Sequence, residues 1–301
     1  MRDKSTVPIR QDENPTGSAP RFGRLAKGSA VVVLVLALAA AYAFKTFSPR
    51  SHEAVPIAVE KPVGPPPIVE VSAADAEALL TLIDGAWRAS GAPEVVPGIA
   101  PLRFPEGLDR LEKEDRKQTF LLSILPHVLH ANEAILAQRL TLEEVARRLE
   151  EGQPLSAEDE ELLRETAKVY RMSEVSIYGF TRRFMRDLLA RVDIVPPSLV
   201  LAQAAKESGW GTSRFVQERN NLFGQRTILE TPGVPATQDQ PQDAVLKLSR
   251  YATLRDSVDA YFFNLNTFGA YDRLRDIRAK FRAEGKDVDP EALAAGLHRY
   301  S

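Results

Sequence analysis

Apolar positions recur every three or four residues through most of the chain beyond residue 70, which is the pattern of helices that bury one face. The first such segment, residues 72–90, shows this spacing between positions 76 and 87, and Ser72 is its predicted N-cap. Strand-like alternation is confined to residues 244–251. We therefore expect a mainly α protein with a small β-hairpin.

Further helices are expected immediately after the first one. Residues 117–139 carry the same apolar pattern, but Pro126 is expected to kink or break that helix because it lacks an N–H. Thr141 is predicted to cap a separate helix that ends at Gly152. Another helix is expected to start at Ser156, where acidic residues in the first turn suit the helix dipole.

An uncharged apolar run precedes this helical body. Residues 28–44 would span roughly 25 Å as a helix, slightly short of the ~30 Å hydrocarbon layer, although Lys45 and Phe47 can extend the segment into the interface. The length fits either a membrane span or a cleaved signal, and Ala-Tyr-Ala at residues 41–43 resembles a cleavage site. The preceding 27-residue tail is long for a signal peptide, so we predict a transmembrane anchor over residues 28–47.

The flanks of the run predict its orientation. Three basic residues between positions 21 and 27 precede it, against two between positions 45 and 50, so the positive-inside rule places the tail, residues 1–27, in the cytoplasm. For a bacterial chain this predicts a single-pass inner-membrane protein whose folded part lies in the periplasm. Residues 48–70 contain six prolines and are predicted to form a stiff, extended spacer.

Composition excludes several classes of function. The 301 residues carry a formal net charge of −2, with a pI near 6.2, so the chain lacks the basic field that binding to a nucleic-acid backbone requires. There is no cysteine, which excludes disulfides and thiolate sites. His127 and His130 lie three residues apart without a matching third ligand. We therefore expect no nucleic acid, no metal and no other cofactor.

A helix is predicted over residues 198–208, because Pro196 and Pro197 stop the preceding segment and Ser198 can cap a new helix. Helical spacing places Glu207 on the same face as apolar residues three and seven positions earlier. The carboxylate therefore points along a partly apolar surface rather than away from it.

The residues immediately after Glu207 are Ser-Gly-Trp-Gly. Gly209 and Gly211 are expected to end the helix and to leave open space beside the carboxylate, while Trp210 offers a broad apolar wall. A poorly hydrated carboxyl group can keep its proton near neutral pH, as a general acid for glycoside cleavage must. The alternative is a structural role in which Glu207 caps the helix end or pairs with Arg214.

A specific sequence pattern extends well beyond Glu207. It comprises LLARVDIVPPSLVLAQAAKESGWGTSRFVQERNNLFGQ at residues 188–225, RYATLRDSVDAYFFNLNTFGAYDRLRDIR at residues 250–278 and LAAGLHRYS at residues 293–301. These segments closely resemble the Bax-like bacterial glucosaminidases, relatives of flagellar and autolysin endo-β-N-acetylglucosaminidases. The resemblance implies a lysozyme-like helical domain with a sugar groove over residues 164–301, preceded by a helical extension over residues 71–163.

The resemblance also implies roles for individual residues. It makes Glu207 the catalytic acid, and Tyr300 best matches a tyrosine that related enzymes place near this acid. Tyr251 and Tyr271 are expected to be core aromatics. The residues implied to contact or support the sugar groove are Trp210, Asn221, Phe223 and Gly224. Of these, Trp210 would either stack on a sugar ring or pack in the core, and the other three are expected mainly to support the groove.

The second carboxylate of a glycosidase is not fixed by any motif. Residues 226–248 depart from the family pattern, and their acids are Glu230, Asp239 and Asp243. We favour Glu230, because the apolar residues before it could anchor a hairpin that Pro-Gly then turns. The alternative is substrate assistance, in which the 2-acetamido group of the sugar attacks the anomeric carbon.

The function implied is a membrane-anchored peptidoglycan hydrolase that cleaves the β-1,4 bond of N-acetylglucosamine in glycan strands. A spacer reaching out from the membrane suits an insoluble polymer. One alternative is a muramidase or a lytic transglycosylase on the same polymer, which shares the glutamate-bearing helix. The other is an inactive peptidoglycan-binding scaffold, which the unassigned second carboxylate favours.

Overall fold

The structure, a computed structural model, describes residues 67–90, 95–172, 179–227 and 247–297. The predicted cytoplasmic tail, the membrane anchor and nearly all of the spacer lie outside these residues. The helices are α1 Ala76–Ala89, α2 Lys113–Glu150, α3 Ala157–Val169, α4 Arg182–Arg191, α5 Pro197–Ser208, α6 Arg214–Arg219, α7 Leu254–Thr267, α8 Asp272–Ala283 and α9 Pro290–Ala294. The mainly α fold predicted from the sequence is confirmed.

Two short sheets accompany the helices. The strands are β1 Val69–Val71, β2 Ile99–Pro101, β3 Arg226–Thr227 and β4 Lys247–Leu248. Strands β1 and β2 pair in parallel, a pairing that the sequence pattern did not predict, with Glu70 opposite Ala100. Strands β3 and β4 pair antiparallel, with Arg226 opposite Leu248, and they flank residues 228–246. The second pair lies where the β-hairpin was expected.

Helix α1 begins three residues later than its predicted cap. Asp75, not Ser72, is the N-cap, and its carboxylate accepts a hydrogen bond from the backbone N–H of Ala78 at 2.8 Å. A carboxylate at this position also interacts favourably with the helix dipole, so it outcompetes a hydroxyl farther upstream. The apolar stripe is as predicted, since Leu79 and Ile83 are buried.

Helix α2 is one helix of 38 residues, so the predicted break before Pro126 and the predicted new start at Thr141 are both wrong. Pro126 lies in a buried run, and packing of α2 against α1, α5 and α7 holds the helix together despite the missing N–H. The Thr141 hydroxyl donates to the Ala137 carbonyl at 3.2 Å, one turn back, and so does not cap a helix.

The same helix is long and apolar enough to cross a membrane, but most of its apolar window is buried within the protein. Helix α2 is therefore the central core helix of the folded part. The predicted anchor at residues 28–47 is a separate segment and lies outside the described residues.

The next two helix starts follow local sequence signals. Ser156 caps α3 as predicted, in a capping box where its hydroxyl and the Asp159 carboxylate each accept a backbone N–H. Helix α5 begins with Pro197 at its first position and Pro196 as the N-cap residue, so Ser198 is inside the helix and not its cap. Proline suits a first position because the N–H that it lacks would have no helical partner there.

The core consists of two buried apolar clusters that meet along α2. The first joins the N-terminal half of α2 to α1, α5, α7, α8 and α9. The second joins its C-terminal half to α3 and α4. The domain boundary predicted between residues 163 and 164 lies inside α3. The predicted extension thus contributes α2 to both clusters.

A buried charge cluster fixes the turn that leads into α5. Asp193, 1% exposed, lies within ion-pair distance of three arginines: Arg282 at 2.7 Å, Arg139 at 3.3 Å and Arg278 at 3.6 Å. Arg278 also donates to the carbonyls of Asp193 and Ile194, at 2.9 and 2.8 Å. Burial alone would raise the pKa of Asp193, but the arginines outweigh it and hold that pKa below its usual value.

A buried histidine joins α2 to β2. His127 is 1% exposed, and its Nε2 lies 3.4 Å from the Pro101 carbonyl oxygen. Burial lowers the pKa of His127 to about 4, although the hydrogen bond to Pro101 acts in the opposite direction. The ring is therefore neutral at physiological pH, and together with its burial this fits a packing role.

This histidine predicts a loss of stability in weak acid. In the unfolded chain His127 takes up a proton below a pKa of about 6.5, whereas in the folded protein it does so only below about pH 4. The free energy of unfolding therefore falls as the pH is lowered from about 6.5 to about 4. The penalty between pH 7.5 and pH 5 is about 2 kcal/mol. Denaturant unfolding at both pH values should show that His127→Gln recovers this amount. The half-buried His130→Gln is the control and should recover less; equal recovery in both variants would contradict the assignment.

Candidate active site

Glu207 lies in the last turn of α5, directly before Gly209, which caps the helix in a left-handed conformation. Val200 and Ala204 on the same face are fully buried, whereas the Glu207 side chain is 25% exposed. The predicted placement on a partly apolar face is therefore correct. The helix is anchored in the core, and the carboxylate at its end reaches the surface.

The ion pairs near Glu207 leave its carboxylate accessible. Arg214, the suggested structural partner, pairs with Glu218 at 2.6 Å. Glu207 instead lies beside Lys206, whose Nζ is 3.8 Å away and whose side chain is 72% exposed. Such an exposed pair contributes little free energy, so the carboxylate is not held in a fixed salt bridge.

Gly224, implied by the resemblance to belong to the groove, lies beside the carboxylate, whereas Gly211, expected to leave space there, does not. A Cβ on Gly224 would lie 3.9 Å from Glu207 Oε2, and the backbone φ there is +63°, a region that disfavours side chains. A Cβ on Gly211 would instead lie 3.2 Å from the rings of Phe104 and Phe120. Gly211 therefore permits close packing of the core, whereas Gly224 lies beside Glu207.

The loop that carries Gly224 is held by asparagine side chains. Asn220 donates to the carbonyls of Tyr251 and Ala252, at 3.1 and 2.9 Å. Asn221, 1% exposed, donates to the carbonyls of Gln225 and Ser249, at 2.9 and 3.1 Å. Its Oδ1 accepts from the Gln225 N–H at 3.0 Å. These bonds hold the loop against the segment between β4 and α7. Such contacts fit a supporting role for Asn221.

Phe223, next to Gly224, stacks on an aromatic residue of α7. The rings of Phe223 and Tyr261 stack with centroids 4.0 Å apart and planes 12° apart. Burial raises the pKa of Tyr261, and the nearby Tyr271 and Glu207 raise it further. The charge of Glu207 can affect the pKa of Tyr261 only if the two side chains are near each other, so Tyr261 is a further candidate for this site.

Tyr261 was not predicted from the sequence as a site residue. It lies among the buried apolar positions of α7, between Val258 and Leu265, and periodicity alone reads such a tyrosine as core. Tyr251 and Tyr271, which were expected to be core aromatics, are only half-buried. Tyr251 donates through its hydroxyl to the Gln225 side chain, and so helps to fix the loop before β3.

Trp210 contacts the core but is not enclosed by it. Its ring meets Phe120 edge to face, with centroids 5.9 Å apart. Lys117 Nζ lies 5.6 Å from the centroid of the same ring. The residue has a left-handed φ of +60° and is half-buried. One part of the indole therefore packs while another remains accessible, and a sugar contact stays a prediction.

The remaining site predictions fall outside the structure. Glu230, Asp239, Asp243 and Tyr300 all lie outside the described residues. Within the described ranges, no group of three or more His, Asp or Glu side chains is placed to hold a metal ion. The described part of the site thus consists of one partly exposed carboxylate, a glycine that borders it and a stacked aromatic pair.

Comparisons with known proteins find one family model and one relative. Residues 183–300 match the glucosaminidase family model, described as mannosyl-glycoprotein endo-beta-N-acetylglucosaminidase. The chain is 36% identical to Protein bax of Escherichia coli (strain K12) over 204 residues, which are 66% of this chain and 66% of that protein. The aligned part thus spans slightly less than two thirds of the relative's length. No solved structure matches significantly. Residues 183–300 are thus similar to the glucosaminidase family, and the chain resembles Bax.

Proposed function

We propose that the protein is a peptidoglycan hydrolase that cleaves the β-1,4 bond of N-acetylglucosamine, with Glu207 as the general acid. The observation that carries this proposal is the position of Glu207: at the end of a buried helix, partly exposed and bordered by Gly224. A general acid must approach the glycosidic oxygen within hydrogen-bond distance. A glycine beside the carboxylate leaves room for the glycan chain to come that close to Glu207.

The proposed fold of the catalytic domain is lysozyme-like. Three features support it: the domain is mainly helical, its acid ends a core helix, and a short antiparallel strand pair comes after that acid in the chain. In this arrangement the loop carrying Gly224 and the strand pair β3–β4 would form one side of the sugar groove. Trp210 would lie on the other side, where its accessible part can stack on a sugar ring.

The second carboxylate is proposed to be Glu230. If it serves as nucleophile or base, Glu230→Gln should lose activity nearly as severely as a variant at Glu207, whereas Asp239→Asn and Asp243→Asn should keep most of the rate. Rates of glycan release by the three variants make the comparison. Full activity of Glu230→Gln, together with tight binding of a thiazoline that mimics the cyclised sugar, would replace this proposal by substrate assistance.

We also propose a single inner-membrane pass at residues 28–47, with the catalytic domain in the periplasm. Support comes from the uncharged run at residues 28–44 and from the 27-residue tail before it. The proline-rich spacer would let the domain reach glycan strands away from the membrane surface. N-terminal sequencing of the mature protein tests the anchor, because a first residue at Phe44 would show a cleaved signal.

The experiment that tests the reaction is digestion of purified peptidoglycan by the full chain, followed by mass analysis of the new ends. A reducing N-acetylglucosamine end supports the proposal. A reducing muramic acid end would identify a muramidase, and an anhydro sugar would identify a lytic transglycosylase. Binding to the polymer without any new ends would identify a scaffold.

A further inference from the structure

A second concave site lies away from Glu207, between α2, the end of α3 and α7. It is a pocket of about 260 Å³. Ile135, Val169, Phe262 and Phe263 form its apolar wall, and Asp259 and His130 supply polar groups. Its volume is slightly below the usual range of ligand pockets, so it suits only a small molecule.

The pocket is distinct from the Glu207 site because α7 separates the two. Asp259, Phe262 and Phe263 are spaced by three and four residues and therefore share one face of that helix, which lines the pocket. Tyr261, which senses the charge of Glu207, projects from a different face of α7. A ligand in the pocket would therefore not occupy the proposed sugar groove.

Among the described residues that line the pocket, Asp259 carries the formal charge at neutral pH. Burial and the neighbouring Arg255 lower the pKa of His130, so its ring is neutral at pH 7. Arg255 lies one turn before Asp259 but directs its Nη2 to His130, 2.8 Å from Nδ1. Within the part of the chain that the structure describes, Asp259 makes no ion pair.

The surroundings of Asp259 disfavour its negative charge. Loss of hydration raises its pKa to about 6, Asp256 and Glu70 raise it as well, and Arg255 acts in the opposite direction. Asp259 is nevertheless an exposed residue, so a ligand can reach its side chain. A cation beside Asp259 would act against these effects and favour the charged form of its carboxylate.

We infer that this pocket binds a small molecule that carries a primary ammonium group on an apolar body. The ammonium would contact the Asp259 carboxylate, and the body would pack on Phe262 and Phe263. The face of an aromatic ring can accept a cation, as the Arg171 guanidinium shows at the edge of this wall, 5.1 Å from the Phe263 ring centroid. An anionic ligand fits less well, because neither Arg171 nor Arg255 lines the pocket.

A ligand-detected NMR titration of the full chain tests this inference, with cyclohexylmethylammonium as the probe and cyclohexylmethanol as its neutral counterpart. The ammonium is expected to bind at least about fivefold more tightly at pH 7, because a partly desolvated charge pair contributes about 1 kcal/mol. Asp259→Asn should abolish this preference and leave binding of the alcohol within about twofold. Asp109→Asn is the matched control, because Asp109 is an exposed carboxylate just before α2 and does not line the pocket. This variant should change neither the preference for the ammonium nor the affinity for the alcohol.

The pH dependence gives a second readout. Between pH 7 and pH 5 the ionised fraction of Asp259 falls about tenfold, so binding of the ammonium should weaken by about that factor, with protonation of His130 acting in the same direction. Asp259→Asn should lose most of this dependence. Ala134→Phe, which adds a ring at the pocket wall, should abolish binding of both probes.

Three results would overturn the inference. Equal affinities for the ammonium and the alcohol would remove the role of Asp259, as would an unchanged pH dependence in Asp259→Asn. Unchanged binding in Ala134→Phe would place both probes elsewhere. None of these measurements depends on hydrolysis, so they test ligand binding by the pocket independently of the proposed function.

Discussion

Replacing Glu207 by Gln is expected to slow release of glycan fragments from purified peptidoglycan by at least about 100-fold, because the amide keeps the volume and polarity of the side chain but cannot donate the catalytic proton. The fold should be retained, since the carboxylate is partly exposed and its ion pair is with an exposed lysine. Initial rates of fragment release, with circular dichroism of both proteins, make the measurement.

Glu218→Gln is the matched control for this experiment. Glu218 is an exposed glutamate on α6 that pairs with Arg214, and the same chemical change there should leave the rate within about twofold. Near-normal activity of the Glu207 variant would end the assignment of this residue as the acid. Comparable losses in both variants would point to a general effect of charge on polymer binding.

Asp193→Asn is expected to lower the free energy of unfolding by about 3 kcal/mol or more, because removal of one partner from a buried charge cluster leaves the others uncompensated. Arg278 is fully buried, and in the variant its charge would retain carbonyl and amide acceptors but no carboxylate. The turn into α5 would lose part of its support. Denaturant unfolding of the full chain at neutral pH measures the change.

The control for Asp193 is Asp187→Asn on α4. Asp187 is exposed and lies 3.7 Å from Arg183, a surface geometry that contributes at most about 1 kcal/mol. A stability loss at Asp193 no larger than this control would mean that the cluster contributes nothing net. Because the pKa of folded Asp193 is lowered, its contribution is present above pH ~4 and disappears in stronger acid, below the window assigned to His127.

Local signals were sufficient for several features of the fold. The capping box at Ser156, the proline pair at the start of α5 and the glycine that caps its end act within a few residues, so their effects can be read from sequence. The spacing that placed Glu207 on a buried face is equally local. The resemblance to glucosaminidases led to the proposal that Glu207 is the acid, because the motif surrounds Glu207 on both sides.

Errors arose where tertiary packing outweighs local preference. Pro126 and Thr141 both resemble breaks, yet burial of α2 against its neighbours stabilises an unbroken helix by more than those residues destabilise it. The space beside the acid was assigned to glycines adjacent in sequence, whereas Gly211 accommodates Phe104 and Phe120. Adjacency along the chain is a poor guide to adjacency in space once a helix ends in a tight turn.

By itself, the sequence determined the helical class, the helix that bears Glu207 and the resemblance to glucosaminidases, because periodicity, capping residues and motifs are properties of short segments. Only the tertiary structure decided that Gly224 lies beside Glu207 and that Tyr261 stacks on Phe223. It also decided that Asp193 lies within ion-pair distance of three arginines at the turn into α5. Those contacts join residues far apart in the chain, and the chain brings them together only when its core closes.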